Sequence, residues 1–142
     1  MSVVKNKSIA VIMSVYKNDN LLFLKESLTS LFNQTSKDFD IFIQQDGIIS
    51  DDVETYLNSQ LNEGKIFYLG KRNENRGLAY SLNELLNLVL DKYKYIARMD
   101  ADDISLPERI EKQFEFMEKN TDIDFCGAFI QEFDISSGKK KI

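Results

Sequence analysis

The chain has 142 residues, 43% of them hydrophobic and 29% charged, with a formal net charge of −5 at pH 7. That is enough polypeptide for one domain with a real core, and the acidic balance argues against broad nucleic-acid binding, which favours a basic face. With no histidine and a single cysteine, Ser-His-Asp triads, imidazole metal ligands and an internal disulfide framework are excluded, so chemistry must run on carboxylates, Arg, Lys, Tyr and bound ions.

The opening "MSVVKNKSIA" lacks the longer apolar core of a signal peptide. No run approaches the roughly 20 apolar residues that cross a bilayer, and a lone Cys126 fits a reducing compartment, so the expectation is a cytoplasmic protein. "SIAVIMSV" (8–15) is nearly continuous in apolar residues, the pattern of a strand covered on both faces. Leu21, Leu24, Leu28, Leu31 and Phe32 then fall at helical spacing over 21–32. "FDIFIQQ" (39–45) reads as a second strand closing on the turn signal Asp46-Gly47.

A weaker helix follows at 51–62, carried by Val53, Tyr56, Leu57 and Leu61. "KIFYLG" (65–70) reads as a third strand, and Leu78, Leu82, Leu85, Leu86 and Val89 mark a third helix. "KYIARM" (94–99) is a fourth strand. Ile110, Phe114 and Met117 share one face of a helix from about 106 to 119, and "DIDFCGAFI" (122–130) is expected to be a fifth strand. The ending "DISSGKKKI" looks like a hairpin cut off partway; its lysines are either solvated or a contact for a membrane surface.

Strand and helix alternating in this way predict an α/β fold, with a Rossmann-like, mostly parallel sheet and right-handed crossovers between strands. In such sheets ligands bind beyond the C-terminal ends of the strands, where strand order reverses. An order of 3-2-1-4 would put that reversal between strands one and four, bringing loops 14–19 and 100–105 together.

The segment "RMDADDISLPER" stands at that position. Ser105 with Glu108 reads as a capping box, Pro107 suits a first helical turn, and Asp103 suits a helix N-terminus. Asp100 and Asp102 ask for more. If the backbone stays extended, their two-residue spacing projects both carboxylates to one side. Paired anions there are costly unless a cation lies beside them. Oxygen donors suit Mg²⁺ or Mn²⁺, commonly shared with substrate phosphates. Tyr16 after strand one could stack on a nucleobase or be a plain surface tyrosine. Asp46 could accept from a base or ribose or simply make a turn. Arg76 could meet phosphate or stay solvated.

Taken together, "IAVIMSVYKND", "SLFNQTSKDFDIFIQQDG", "ENRGLAYSLNELL" and "YIARMDADDISLPERIEKQFEFM" resemble the opening half of a family 2 glycosyltransferase of GT-A fold, closest to bacterial enzymes of capsule, exopolysaccharide and lipopolysaccharide assembly. The resemblance runs through residues 8–130. It implies that residues 1–142 form one nucleotide-diphosphate-sugar-binding domain, with helices on both sheet faces and incomplete at the C-terminus. The activity implied is transfer of a sugar, usually with inversion, from a nucleotide-diphosphate donor (a UDP-sugar first among them) to a saccharide or lipid-linked acceptor in surface polysaccharide synthesis. Mn²⁺ or Mg²⁺ would bridge protein and diphosphate.

By the same resemblance Ser14, Val15 and Tyr16 line the base pocket, Asp46 contacts the base and Arg76 the nucleotide. Asp100 meets ribose or metal, and Asp102 is the principal metal ligand. Localisation would be cytoplasmic, with a peripheral contact at the inner face of the membrane. Two departures stand out. The family commonly shows Asp-Asp-Gly-Ser after strand two, where this chain has Gln45-Asp46-Gly47-Ile48. The family's acceptor side and catalytic carboxylate base normally lie about a hundred residues further on, beyond Ile142, so residues 1–142 alone are expected to bind without turning over.

Three rivals explain less. An aspartyl-nucleophile phosphatase or phosphotransferase would use D-x-D after the first strand, with Gly and Thr nearby. A receiver-like module needs an acid pair after strand one, where Ser14-Val15-Tyr16 stands. A dinucleotide fold needs G-x-G-x-x-G there. A non-catalytic nucleotide-binding fragment remains the alternative within the family.

Overall fold

The structure is a computed structural model that describes residues 7–133 and 140–141. Its centre is β1 (Ile9–Tyr16), in which alternate side chains serve two different cores. Val11, Met13 and Val15 enter a larger cluster with Leu24, Leu28 and Leu31, while Ala10 and Ile12 meet Leu82, Leu85 and Val89 on the opposite face. A strand apolar on both faces cannot leave either one wet.

Helices α1 (Leu21–Phe32) and α2 (Asp51–Asn62) therefore cover one face together with α4 (Arg109–Lys119), and α3 (Leu78–Val89) covers the other. The three fully buried leucines of α1 contribute roughly 1.5–3 kcal/mol each by leaving water. Asn20 caps that helix, its side-chain oxygen accepting from the backbone N–H of Leu22 and Phe23.

The remaining strands of the sheet are β2 (Phe39–Asp46), β3 (Tyr68–Arg72) and β4 (Tyr95–Arg98). The sheet order is β3-β2-β1-β4, and every pairing is parallel. The expected doubly covered α/β fold and its reversal between strands one and four are what the structure shows. Because all four strands run one way, Tyr16, Asp46, Arg72 and Arg98 end on one edge. In the register, Tyr16 stands opposite Asp46 and Asp46 opposite Arg72.

Three expectations are corrected. The fifth strand at 122–130 does not form. The segment is irregular, with Phe125, Phe129 and Ile130 largely exposed, because composition supplies strand formers but no strand edge runs alongside. A two-residue β5 (Glu132–Phe133) instead pairs antiparallel with β6 (Lys140–Lys141); the rest of the expected terminal hairpin lies outside the described residues. The third strand starts three residues late, since Lys65 and Ile66 donate their N–H groups to the Gln60 carbonyl and so finish α2.

The last correction concerns α4, which starts at Arg109 rather than near 106, and Ser105 makes no capping box. Its hydroxyl is buried, donating to the Met99 sulfur at 3.1 Å and accepting from the Arg109 guanidinium at 3.0 Å.

Two loops at the C-terminal edge touch at Gly47. Its φ of +85° is a left-handed value, and a Cβ there would sit 2.9 Å from the backbone nitrogen of Asn75. Gly47→Ala should therefore cost roughly 1–3 kcal/mol through strain and clash. A urea melt would show this as a lower midpoint at unchanged slope; an unaltered midpoint would refute the close approach.

Candidate functional site

At the edge where the strands end, the acid that closes β2 and the acids that follow β4 have opposite surroundings. Asp46, closing β2, is 3% exposed and fully engaged. Its Oδ1 accepts from the Arg72 guanidinium and from the backbone N–H of Arg76 at 2.8 Å, and its Oδ2 accepts from the N–H of Gly77 at 3.0 Å. Gly77 is the N-cap of α3, which has no side-chain cap of its own. The carboxylate from β2 thus takes up the N–H of the N-cap and of the residue before it, and meets the positive end of the helix dipole. Arg72 also donates to Ser81 Oγ at 2.9 Å, pairs with Glu84 at 2.8 Å and lies over the Tyr80 ring.

Arg76 follows directly from this anchoring. With its backbone pinned to Asp46, its guanidinium extends along the exposed edge, bonded to Glu74 Oε2 at 2.9 Å and Tyr80 Oη at 3.0 Å. On β1, Ser14 is half-buried, the side chain of Val15 is wholly inside the core, and Tyr16 is exposed at the strand tip. Val15 can therefore offer a ligand only its backbone.

The acidic loop after β4 differs in every respect. The chain turns there instead of staying extended: the N–H of Asp103 donates to the Asp100 carbonyl at 3.3 Å, and Ala101 points into the core. Burying Ala101 leaves Asp100 and Asp102 on the outside. Asp100 has only a long 3.6 Å contact with Arg98, and Asp102 has no hydrogen bond or ion pair among the described residues. Both carboxylates act on the same neighbours. Burial first, then the charges of Asp102 and Asp100, push the Asp19 carboxyl above the usual carboxylate range, against a hydrogen bond from the Tyr16 N–H. Burial, followed by Asp100 and Asp102, likewise raises Asp103. Loops 14–19 and 100–105 therefore lie within electrostatic reach of each other, as the strand order requires.

These surroundings fit a hard divalent cation. All the donors are oxygen, the acids are only partly offset by the 3.6 Å contact of Arg98 with Asp100, and the acid pair sits at the reversal of strand order. Among the described residues no group of three or more His, Cys, Asp or Glu side chains could hold a metal by itself. A cation here would complete its shell with water and substrate oxygens, the habit of Mg²⁺ and Mn²⁺ at phosphates.

Sequence reasoning missed three residues of this edge. Arg72 fell outside a strand drawn two residues short at its C-terminal end. Asp19 was inside the loop assigned to the cleft, and a carboxylate three residues after Tyr16 was the available signal. Arg109 was visible only as part of a helix, yet it is half-buried, its guanidinium donating to the Arg98 carbonyl at 2.9 Å. Burial lowers its pKa, opposed by the charge of Asp103.

No helix among the described residues is long and apolar enough to cross a membrane. The model of the glycosyl transferase family 2 matches residues 10–141. An uncharacterized glycosyltransferase of Methanocaldococcus jannaschii is 38% identical over 126 residues, covering 89% of this chain and 42% of its own length. The UDP-Gal:alpha-D-GlcNAc-diphosphoundecaprenol beta-1,3-galactosyltransferase of Escherichia coli is 33% identical over 136 residues, covering 94% of this chain and 47% of its own length. The chain thus spans about half the length of the curated relatives it matches.

Among solved structures, S. aureus TarS in complex with UDP-GlcNAc superposes with a TM-score of 0.69 at 18% identity, over 88% of this chain and 38% of that one. At that identity the likeness speaks for the fold, which is that of GT-A glycosyltransferases. On the family match and the identity to its relatives, the chain belongs to glycosyl transferase family 2.

Proposed function

We propose that residues 1–142 form the donor-binding part of a longer glycosyltransferase domain that moves a sugar from a nucleotide-diphosphate donor to a saccharide or lipid-linked acceptor in bacterial surface polysaccharide synthesis. The observation that carries this reading is the pair Asp100, with one long 3.6 Å contact to Arg98, and Asp102, with no ion pair among the described residues, at the tip of β4 where strand order reverses. A UDP-sugar is the favoured donor. Support comes from a relative named for UDP-Gal and an undecaprenol-linked acceptor, and from a structural neighbour holding UDP-GlcNAc. The working location is the cytoplasm, with a peripheral contact at the membrane where lipid-linked acceptors reside.

In this reading Tyr16 stacks on the base, while Ser14 and the Val15 backbone wall the pocket. Asp46, whose carboxylate oxygens already hold the α3 N-terminus, forms the pocket floor at the base and keeps Arg76 facing the nucleotide. Asp100 meets the ribose or the cation, and Asp102 is the main cation ligand. A bound Mn²⁺ or Mg²⁺ would neutralise the diphosphate, both in the ground state and as it departs with growing charge.

Transfer is read as inverting: the acceptor hydroxyl attacks the anomeric carbon opposite the departing diphosphate, and its proton passes to a carboxylate base. That base is placed beyond Ile142, so residues 1–142 supply binding and orientation.

Calorimetry tests the core of the reading. UDP should bind wild type with Mn²⁺ and lose about tenfold or more in affinity without it, and Asp102→Asn should bind equally weakly with or without the ion. Equal affinity in all four combinations would overturn the metal-bridged site. A pH series gives a second test. Because the folded state raises the Asp103 pKa, ionising that group works against folding, and the penalty builds as pH rises above the ordinary value of 3.8 and is complete above the folded value. Asp103→Asn should therefore raise Tm at pH 7, with the gain vanishing as pH falls toward the ordinary value of 3.8. A gain that persists unchanged at low pH would contradict the crowding of charge in this loop.

A further inference from the structure

One helix supports the acidic loop from below, through side chains that carry no charge. Gln34, just past the end of α1, is 1% exposed. Its Nε2 donates to the carbonyls of Leu106 at 2.7 Å and Ser30 at 3.1 Å, while its Oε1 accepts from the N–H of Ile110 at 3.0 Å. Ser30 Oγ accepts from the N–H of Ser105 at 3.0 Å, and Ser27 Oγ donates to the carbonyl of Asp100 at 3.0 Å. The N–H of Thr35 reaches the Pro107 carbonyl at 2.9 Å. Asp100, Ser105, Leu106, Pro107 and Ile110 are thus each tied to α1 or to the two residues Gln34 and Thr35 that follow it.

These ties answer a specific difficulty. Asp100, Asp102 and Asp103 repel one another, and α4 lacks its own side-chain cap. The bonds within the segment are few, chiefly the Asp103 N–H to the Asp100 carbonyl at 3.3 Å and the Arg109 guanidinium to Ser105 Oγ at 3.0 Å, so much of the restraint comes from a neighbouring element. We propose that Gln34 is the positioning residue of the acidic loop: by clamping Leu106 and Ile110 together it fixes where Asp100 and Asp102 present their carboxylates to a divalent cation and diphosphate. The inference rests on the nucleotide-sugar reading above but adds a residue that meets neither ligand.

Gln34 is a cleaner lever than Arg109, because removing a neutral amide alters the geometry of the loop without altering its charge. A buried carbonyl and N–H left unpaired cost more than the bonds they made. The segment from Asp103 to Ile110 would accordingly open locally while the sheet remained intact.

The test uses the full chain, Mn²⁺ alone as probe, and amide hydrogen exchange as a second readout. Wild type is compared with Gln34→Met, with the milder Ser30→Ala, and with Ile41→Val, which thins the same core away from the loop. Gln34→Met should weaken Mn²⁺ binding about tenfold and speed exchange selectively over residues 103–110. Ser30→Ala should do both to a lesser degree, and Ile41→Val should lower Tm with neither effect. A folded Gln34→Met with wild-type Mn²⁺ affinity and exchange overturns the proposal, as does Ile41→Val reproducing its losses. If Gln34→Met does not fold, Ser30→Ala decides by the same criteria. If wild type binds no Mn²⁺ in the absence of a diphosphate, exchange alone judges the clamp: selective opening upholds it and uniform change overturns it.

Discussion

The constraint on which the rest depends is that β1 must be dry on both faces. A strand reading Ile9 to Tyr16 with scarcely a polar residue can satisfy its backbone only between two other strands, and its side chains only between two helical layers. Pairing with β2 on one side and β4 on the other follows. Right-handed crossovers then place α1 and α2 on one face, and the chain must return past β1 to lay down β4, carrying α3 across the opposite face. The reversal of strand order results from covering both sides of one strand, and it gathers the strand tips at a single edge.

At that edge the protein treats its acids in two ways. Asp46 is withdrawn from solvent and given a guanidinium and two backbone N–H groups, so its charge is used up in holding the α3 N-terminus. A buried carboxylate survives only with such a complement of partners. Asp100 and Asp102 stay exposed on a loop whose backbone is held by neutral hydrogen-bonding groups. One acid builds the frame; the others keep their field for something outside the chain.

Much of this was legible in advance because periodicity is a direct consequence of burial. The bounds of α1 and α2 and the apolar face of α3 were read from the helical spacing of apolar residues, and β1 from its nearly continuous apolar run. The segment 122–130 failed for the complementary reason: Phe125 and Phe129 favour strands in general, but a strand needs a neighbour, and composition does not say whether one is there. Ser105 failed in a similar way. Its spacing from Glu108 fits a capping box, yet the nearby Arg109 and Met99 claimed the hydroxyl first.

By itself the sequence determined the α/β class, the order of its elements and the placing of an acid pair at a strand tip, since each depends on patterns within a few neighbouring residues. It also carried a set of motifs specific enough to point to one family. Only the tertiary structure decided which acid is neutralised and which is not. The partners of Asp46 come from residues 72 to 77, and those of the acidic loop include Ser27 of α1 and Gln34 just after it, more than seventy positions away. Charge compensation acts through space, and a linear pattern fixes which charges exist without fixing which ones meet.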